Sequence, residues 1–211
     1  SNDGSRGLGD VYKRQTMRTQ GTSALKPDQR YTVADYKSWT DDVRRELIDG
    51  FIYDMSPAPR LGHQDLALDL AGKLRVFLDG KPCRPFIAPV DVYLFPEADD
   101  DEAFDVVQPD VLVVCGRGKI RDDGIHGAPD WVAEVLSPGT SHKDLGEKRD
   151  LYERAGVREY WLLNPDNGSV FVWRLLDGRF APVAEHSEGA DVASTVLPGF
   201  VWRAVRAPRY S

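Results

Sequence analysis

Two apolar runs, each with Pro-Asp at or near its start, constrain the fold of this chain more than any other feature. They are residues 107–114, VQPDVLVV, and residues 129–136, PDWVAEVL. Such β-branched, apolar runs are typical of strands that are buried on both faces. An ionisable side chain in a buried strand costs free energy unless it is paired or binds a metal. The glutamate of the second run, Glu134, therefore needs a partner.

Asp110 and Glu134 form the first candidate pair. Because alternate side chains of a strand share a face, Glu134 points the same way as Val132 and Leu136, and Asp110 lies at the start of the neighbouring run. Two carboxylates on adjacent strands offer the hard oxygen ligands that Mg²⁺ prefers. We therefore expect Asp110 and Glu134 to share one Mg²⁺ ion, for which Mn²⁺ can substitute.

A lysine provides the third unusual feature. The sequence predicts a helix over residues 142–155, and its apolar side chains fall within an arc about 120° wide when 100° is counted per residue. These side chains are Leu145, Leu151, Tyr152 and Ala155. Lys148 lies in the middle of the same arc, so a lysine occupies the stripe that should face the core.

Local patterns predict the remaining elements. The predicted helices are residues 32–39, capped by Thr32, residues 63–79, and the helix 142–155, capped by Thr140 or Ser141 and ended by Gly156. The predicted strands are residues 87–95, 107–115, 130–136, 159–164 and 169–175, preceded by a hairpin over residues 46–53 that turns at Asp49-Gly50. We expect residues 1–29 to be a tag or disordered leader, residues 30–205 to form one domain, and residues 206–211 to be a tail.

Composition narrows the class of protein. No run approaches the roughly 20 apolar residues of a membrane span and no secretory leader is visible, so we expect a cytoplasmic protein with no membrane partner.

Cys83 and Cys115 lack CxxC spacing, and we interpret both as packing residues of a protein from a reducing compartment. The net charge of −7 argues against bulk attraction to nucleic acid, although basic residues gather around the predicted helix 142–155.

The order helix, three strands, helix, strand, with Asp and then Glu on the strands, resembles the PD-(D/E)XK nuclease superfamily. The chain is more closely similar to the Uma-type restriction endonuclease family over about residues 31–200. The matching segments are residues 46–50, 109–111, 134–138, 144–148, 151–152 and 159–162. The resemblance implies an α/β (α+β) fold with a restriction-endonuclease-like αβββαβ core, a mixed central sheet flanked by helices, and an N-terminal β-hairpin. It also implies a cation held by Asp110 and Glu134, and hydrolysis of a nucleic-acid phosphodiester.

One position departs from the superfamily pattern. The lysine expected two residues after the glutamate is Leu136 here. Similar proteins recruit the cation from the following helix, which is where the periodicity places Lys148. We therefore expect three catalytic residues, Asp110, Glu134 and Lys148. The lysine would orient the attacking water or offset charge on the phosphate oxygens.

Simpler interpretations of the same residues remain open. Glu134 and Lys148 also fit a structural ion pair. Glu46 fits a place in the metal shell and a solvated strand position equally well. For His63, at the start of a helix, packing is favoured over contact with a phosphate. Tyr152 is expected mostly in the core, with its hydroxyl reaching towards Lys148.

Two functions from different classes follow. The first is a metal-dependent endonuclease acting on DNA, favoured by Asp110, Glu134 and an inward Lys148. The alternative is a non-catalytic module that binds nucleic acid or protein and keeps the nuclease fold, favoured by the acidic charge and Leu136. Hydrolysis of another phosphate ester is a third candidate. Cleavage of both DNA strands requires two active sites, which favours a homodimer, and the strand at residues 170–175 is either its interface edge or core.

Overall fold

A computed structural model of the protein describes residues 25–26, 28–55, 60–137 and 146–208. The described residues form three α-helices, α1 (Val33–Ser38), α2 (Leu61–Phe77) and α3 (Glu147–Ala155). The first strands are β1 (Arg45–Ile48), β2 (Phe51–Asp54), β3 (Arg84–Ile87), β4 (Val92–Tyr93), β5 (Val106–Val107), β6 (Val111–Val114), β7 (Ile120–Arg121) and β8 (Gly124–His126). They are followed by β9 (Trp131–Val135), β10 (Glu159–Leu163), β11 (Val170–Leu176), β12 (Arg179–Phe180), β13 (Ala184–His186), β14 (Asp191–Ala193) and β15 (Val201–Arg203).

The main sheet has seven strands. Its order is β12-β11-β10-β9-β6-β3, and β13 also pairs with β11. Strands β9 and β10 are parallel, whereas β9 is antiparallel to β6, so the sheet is mixed. Taken along the chain, α2, β3, β6, β9, α3 and β10 give the expected αβββαβ core.

A second, six-stranded sheet was not predicted from the sequence. Its order is β2-β1-β5-β4-β8-β7, and the N-terminal hairpin supplies its first two strands. The hairpin turns at Asp49 and Gly50, whose φ angles of 51° and 82° suit the tight turn that matches strand twist. The predicted hairpin is thus confirmed, but it is part of a larger sheet.

Alternation along β6 and β9 assigns the two faces of the main sheet. Val111 and Ala133, which are register partners, pack in the cluster that contains Leu66 and Leu70 of α2. Leu112, Val132 and Leu162 belong to the other cluster, with Leu151 and Tyr152 of α3. Glu134 therefore points to the face covered by α3, because it lies two residues from Val132.

The run at residues 107–115 is not one strand, as predicted, but two. Val106–Val107 belongs to the second sheet and Val111–Val114 to the main sheet. Pro109 lies between them, and proline has no backbone N–H to donate to a ladder. The chain crosses from one sheet to the other here, so Asp110 comes to the junction of the two. The predicted strand 87–95 is divided in the same way, between β3 and β4.

The helix boundaries agree in part with the prediction. Thr32 caps α1 with a capping box, and Gly156 ends α3 with a left-handed φ of 87°. Helix α2 begins two residues earlier than expected, at Leu61. The described part of α3 begins at Glu147. The predicted start at residue 142 and its cap at Thr140 or Ser141 lie outside the described residues, as do most of the predicted leader and the last residues of the tail.

The structure also decides two further points. Of the two alternatives for the strand at residues 170–175, the interface edge is excluded and the core position is supported, because β11 pairs with β10 on one side and with β12 and β13 on the other. Cys83 and Cys115 pack against the core as expected, but the expectation that they stay reduced is wrong, because they form a disulfide. The register explains this bond, since Arg84 pairs with Val114 and the two cysteines occupy the next pair of positions. No described helix has the length and apolarity that crossing a membrane requires.

Candidate functional site

Asp110, directly before β6, lies opposite Glu134 of the neighbouring antiparallel strand β9. Val111 pairs with Ala133, so the next register position joins Asp110 to Glu134. The Asp110 amide donates to Glu134 Oε2 at 3.2 Å, and the Val135 amide donates to Asp110 Oδ2 at 2.8 Å. Directly opposite residues place their side chains on one face. The two carboxylates are therefore neighbours, as the sequence pattern predicted.

Lys148 reaches this pair from α3. Its Nζ atom lies 2.7 Å from Glu134 Oε1 and 2.8 Å from Glu46 Oε1. The side chains of Lys148, Glu134 and Glu46 are only 3%, 4% and 0% exposed. The inward position that helical periodicity predicted for Lys148 is confirmed.

Glu46 enters the site from the second sheet. It lies on β1, all four residues of which are buried, so its interpretation as a solvated strand residue is wrong. The backbone N–H of Gln108 donates to Glu46 Oε1 at 2.8 Å. One carboxylate oxygen of Glu46 thus meets both the Lys148 ammonium and the backbone just before Asp110.

Gln108 and Asp91 belong to the hydrogen-bond network beside the site, and the sequence did not indicate either of them. Gln108 Oε1 accepts from Arg44 Nε and Nη2 at 2.9 and 2.8 Å, and Gln108 Nε2 donates to Asp91 Oδ1 at 2.7 Å. These bonds hold the crossing between the two sheets from both sides. The available signal was the amide side chain inside an otherwise apolar run, which predicts a hydrogen-bonded position when the run is buried.

Tyr152 and His63 complete the cluster in ways that differ from expectation. The Tyr152 hydroxyl donates to Glu134 Oε1 at 2.7 Å, whereas it was expected to reach towards Lys148. Burial, and then the negative charge of Glu134, raise the pKa of Tyr152 well above its usual value. Tyr152 therefore stays protonated and acts as a hydrogen-bond donor. His63 does more than pack, because its Nε2 atom lies 3.1 Å from Asp110 Oδ2.

The donor set fits a divalent cation. The Glu46 and Glu134 carboxylates share one lysine ammonium, and the Asp110 carboxylate contacts His63 at the register position opposite Glu134, so three carboxylates gather in a largely buried place. Among the described residues, no three or more His, Cys, Asp and Glu side chains are arranged to enclose an ion. Mg²⁺ does not need such an enclosure, since one or two carboxylates with waters and substrate phosphate usually hold it. The Asp110 side chain, 16% exposed, gives the site access to solvent.

Comparisons with known proteins identify the family of the chain. A family model described as "Putative restriction endonuclease", Uma2, matches residues 33–206. One similar solved structure is the crystal structure of a putative nuclease belonging to DUF820 from Anabaena variabilis. It is 20% identical, covers 82% of this chain and 95% of its own, and has a TM-score of 0.66. No curated protein matches.

These two findings confirm the predicted fold and the resemblance. At 20% identity the solved structure bears on the fold alone, and it agrees with the mixed sheet and flanking helices expected of a restriction-endonuclease-like protein. The family model covers most of the sequence, including every residue of the cluster described above. The chain therefore belongs to the Uma2 family.

Proposed function

We propose that the protein is a metal-dependent endonuclease that hydrolyses phosphodiester bonds of DNA. The observation that carries this proposal is the meeting of Asp110, Glu134 and Lys148 at the junction of two sheets, with the lysine 2.7 Å from the glutamate. The description of the Uma2 family supports a nuclease. The choice of DNA is an extension of the family's description as a restriction endonuclease, and the choice of Mg²⁺ or Mn²⁺ rests on the carboxylate oxygens of the cluster.

Asp110 and Glu134 are the residues that would hold the cation. A bound Mg²⁺ ion supplies a Lewis acid for the phosphate and lowers the pKa of a bound water. Tyr152 and His63 each contact one of these carboxylates, so they fix the directions in which Glu134 and Asp110 present their oxygens. Partners of this kind orient the ligands of a metal.

Lys148 contributes a fixed positive charge. In a site with little water, a positioned ammonium stabilises negative charge that builds on phosphate oxygens. Glu46 provides a second carboxylate contact to the Lys148 ammonium, besides Glu134, and so limits where the ammonium can lie. Glu46 thus serves as a positioning residue in this proposal.

The non-catalytic alternative also has an observation in its favour. Lys148 is bonded to two buried carboxylates, and such a network can be a structural link between the two sheets. Leu136 stands where the superfamily has its lysine. A structural link has no need of a divalent cation, so metal binding separates the two functions.

The direct test is cleavage of single-stranded, double-stranded and branched DNA with Mg²⁺ and with Mn²⁺. The expected result is metal-dependent cleavage by the wild-type chain and none by Glu134→Ala. Asp105→Asn provides a matched control, because Asp105 is a buried carboxylate that accepts from the Asp49 amide, away from the cluster. Absence of cleavage on all three substrates with both metals would contradict the proposal.

A further inference from the structure

Helix α2 exposes large apolar side chains on the side away from the sheet. Leu61, Leu68 and Val76 are 66%, 64% and 79% exposed. Soluble monomers rarely expose large contiguous apolar patches, and those that occur usually mark interaction sites. The opposite side of the same helix, with Leu66, Leu70 and Leu74, is buried against the main sheet.

The exposed residues form one continuous face. Counted at 100° per residue, five of them and the half-buried Asp65 fall within an arc about 100° wide. We call these the α2 outer face: Leu61, Asp65, Leu68, Gly72, Arg75 and Val76. A Cβ atom on Gly72 would meet nothing within 4 Å, so the middle of the face is open to close approach. A cavity of about 650 Å³ beside Val76, lined in part by Phe77 and Val201, extends the apolar surface sideways.

Two charges on this face have no partner in the described part of the chain. Asp65 and Arg75 make neither an ion pair nor a side-chain hydrogen bond there, whereas their neighbours Asp69 and Lys73 pair at 2.8 Å. Asp65 and Arg75 lie at equal distances along the sequence from Leu70 and have opposite signs. Leu68 and Gly72 are also symmetric about Leu70.

We propose that the α2 outer face binds the same face of a second copy of this chain, with the two helices antiparallel. A two-fold axis at the level of Leu70 places Asp65 beside the partner's Arg75, and Leu68 beside the partner's Gly72. Two-fold interfaces require such self-complementarity, in which residue i meets residue j twice. Glycine opposite leucine lets the helix axes approach to the usual packing distance.

The arrangement also brings the two candidate sites into one assembly. His63 lies in the first turn of α2, so the two copies of His63 would lie about 20 Å apart along the paired helices at 1.5 Å per residue. The proposal stands apart from the nuclease assignment, because assembly is measured without any substrate.

Sedimentation velocity on the full chain, from about 1 to 100 µM, tests the proposal. The wild type is expected to dimerise. Arg75→Glu, and separately Asp65→Lys, should each raise the dimer dissociation constant about tenfold or more, because like charges then face each other twice. The double variant Asp65→Lys/Arg75→Glu exchanges the two charges and should restore wild-type affinity. Arg121→Glu, at an exposed position of β7, is the matched control and should have no effect.

Two outcomes would overturn the proposal. One is a wild-type chain that stays monomeric over the whole concentration range, as when the chain's own residues 1–24 or a different protein cover the face. The other is a dimer that neither the charge variants nor Leu68→Asp weakens, since the interface then lies elsewhere. Circular dichroism and thermal unfolding of each variant check that these substitutions leave the fold intact.

Discussion

Lys148 Nζ lies 2.8 Å from Glu46 Oε1, although Lys148 belongs to a helix that covers the main sheet and Glu46 belongs to the second sheet. Glu134 of the main sheet lies 2.7 Å from the same ammonium. One buried cation thus joins two carboxylates from two sheets. Removing one partner of a buried ion pair is costly because an uncompensated charge stays behind.

We expect Lys148→Met to destabilise the protein. Methionine keeps most of the volume of the lysine stem but leaves the Glu46 and Glu134 carboxylates buried without their ammonium. The expected loss is about 3–5 kcal/mol in the free energy of unfolding, measured by urea denaturation at about pH 7. The double variant Lys148→Met/Glu46→Gln removes one of the stranded charges and should recover part of this loss. Equal stability of the wild type and Lys148→Met would show that the network contributes nothing to folding.

The same double variant separates the structural role of Lys148 from the catalytic one. If Lys148 stabilises charge on the phosphate, Lys148→Met/Glu46→Gln should cleave DNA about 10²–10³-fold more slowly than Glu46→Gln alone. Calorimetric titration with Mn²⁺ should show that both variants bind metal. Equal cleavage rates in the two variants would remove Lys148 from the catalytic residues and leave it a purely structural ion pair.

Asp110→Asn tests the metal site directly. The asparagine keeps the shape of the side chain and can still accept from the Val135 amide, but it loses the charge that a cation needs. Mn²⁺ affinity should fall about 100-fold or more by isothermal titration calorimetry. The fold should persist, since one of several clustered negative charges is removed. Asp105→Asn is the control, and unchanged affinity in Asp110→Asn would contradict the assignment of the ligand.

Two residues of this site, Glu134 and Lys148, can be predicted from the sequence because each is charged at a position where an apolar residue is expected. Glu134 interrupts a buried strand and Lys148 interrupts an apolar helical stripe, and both anomalies indicate candidate positions without any knowledge of the fold. Glu46 occupies no such position. It lies in the segment RELI, where two charged residues precede two apolar ones as at a solvated start of a strand, and only the second sheet explains why all four residues are buried.

What could not be predicted depends on contacts between distant segments. The sequence suggests one continuous strand over residues 107–115, and the crossing at Pro109 becomes visible only when the two sheets are compared. The bond between Gln108 and Asp91 depends on that crossing. The pairing of Cys83 with Cys115 likewise requires the register of β3 against β6.

Glu159 provides a prediction about stability that should leave the candidate site unchanged. This fully buried carboxylate accepts from the indole N–H groups of Trp131 and Trp161 through Oε1, and from the Thr195 amide and hydroxyl through Oε2. In Glu159→Gln, an NH₂ group replaces one of the two accepting oxygens. This group cannot accept a hydrogen bond from the donors that it faces, so the free energy of unfolding should fall by about 2–4 kcal/mol.

Urea denaturation measures the effect of Glu159→Gln, and Mn²⁺ titration is its control. Glu159 shares the α2 side of the main sheet with Trp131 and Trp161, whereas Glu134 faces α3. Metal affinity should therefore match that of the wild type. A variant with wild-type stability would show that the four donors contribute no net stabilisation through this carboxylate.

Tyr36 gives a prediction about alkaline pH. Its hydroxyl donates to Asp91 Oδ1 at 2.9 Å. Burial, and then the negative charge of Asp91, raise the pKa of Tyr36 well above its usual value. The native protein therefore keeps a proton that the unfolded chain releases near pH 10. This contribution to stability is complete below about pH 10 and is lost as the pH rises through the raised pKa.

Tyr36→Phe removes that titration, so its free energy of unfolding should fall less steeply than that of the wild type between about pH 9 and 11. Urea denaturation at several pH values measures both slopes. At about pH 7 the variant should be less stable, because the hydrogen bond to Asp91 is lost, and this constant difference serves as the internal reference. Since burial also raises the pKa of Tyr93, some loss of stability should remain in the variant. Parallel pH curves for the two proteins would show that Tyr36 titrates alike in the native and unfolded chains.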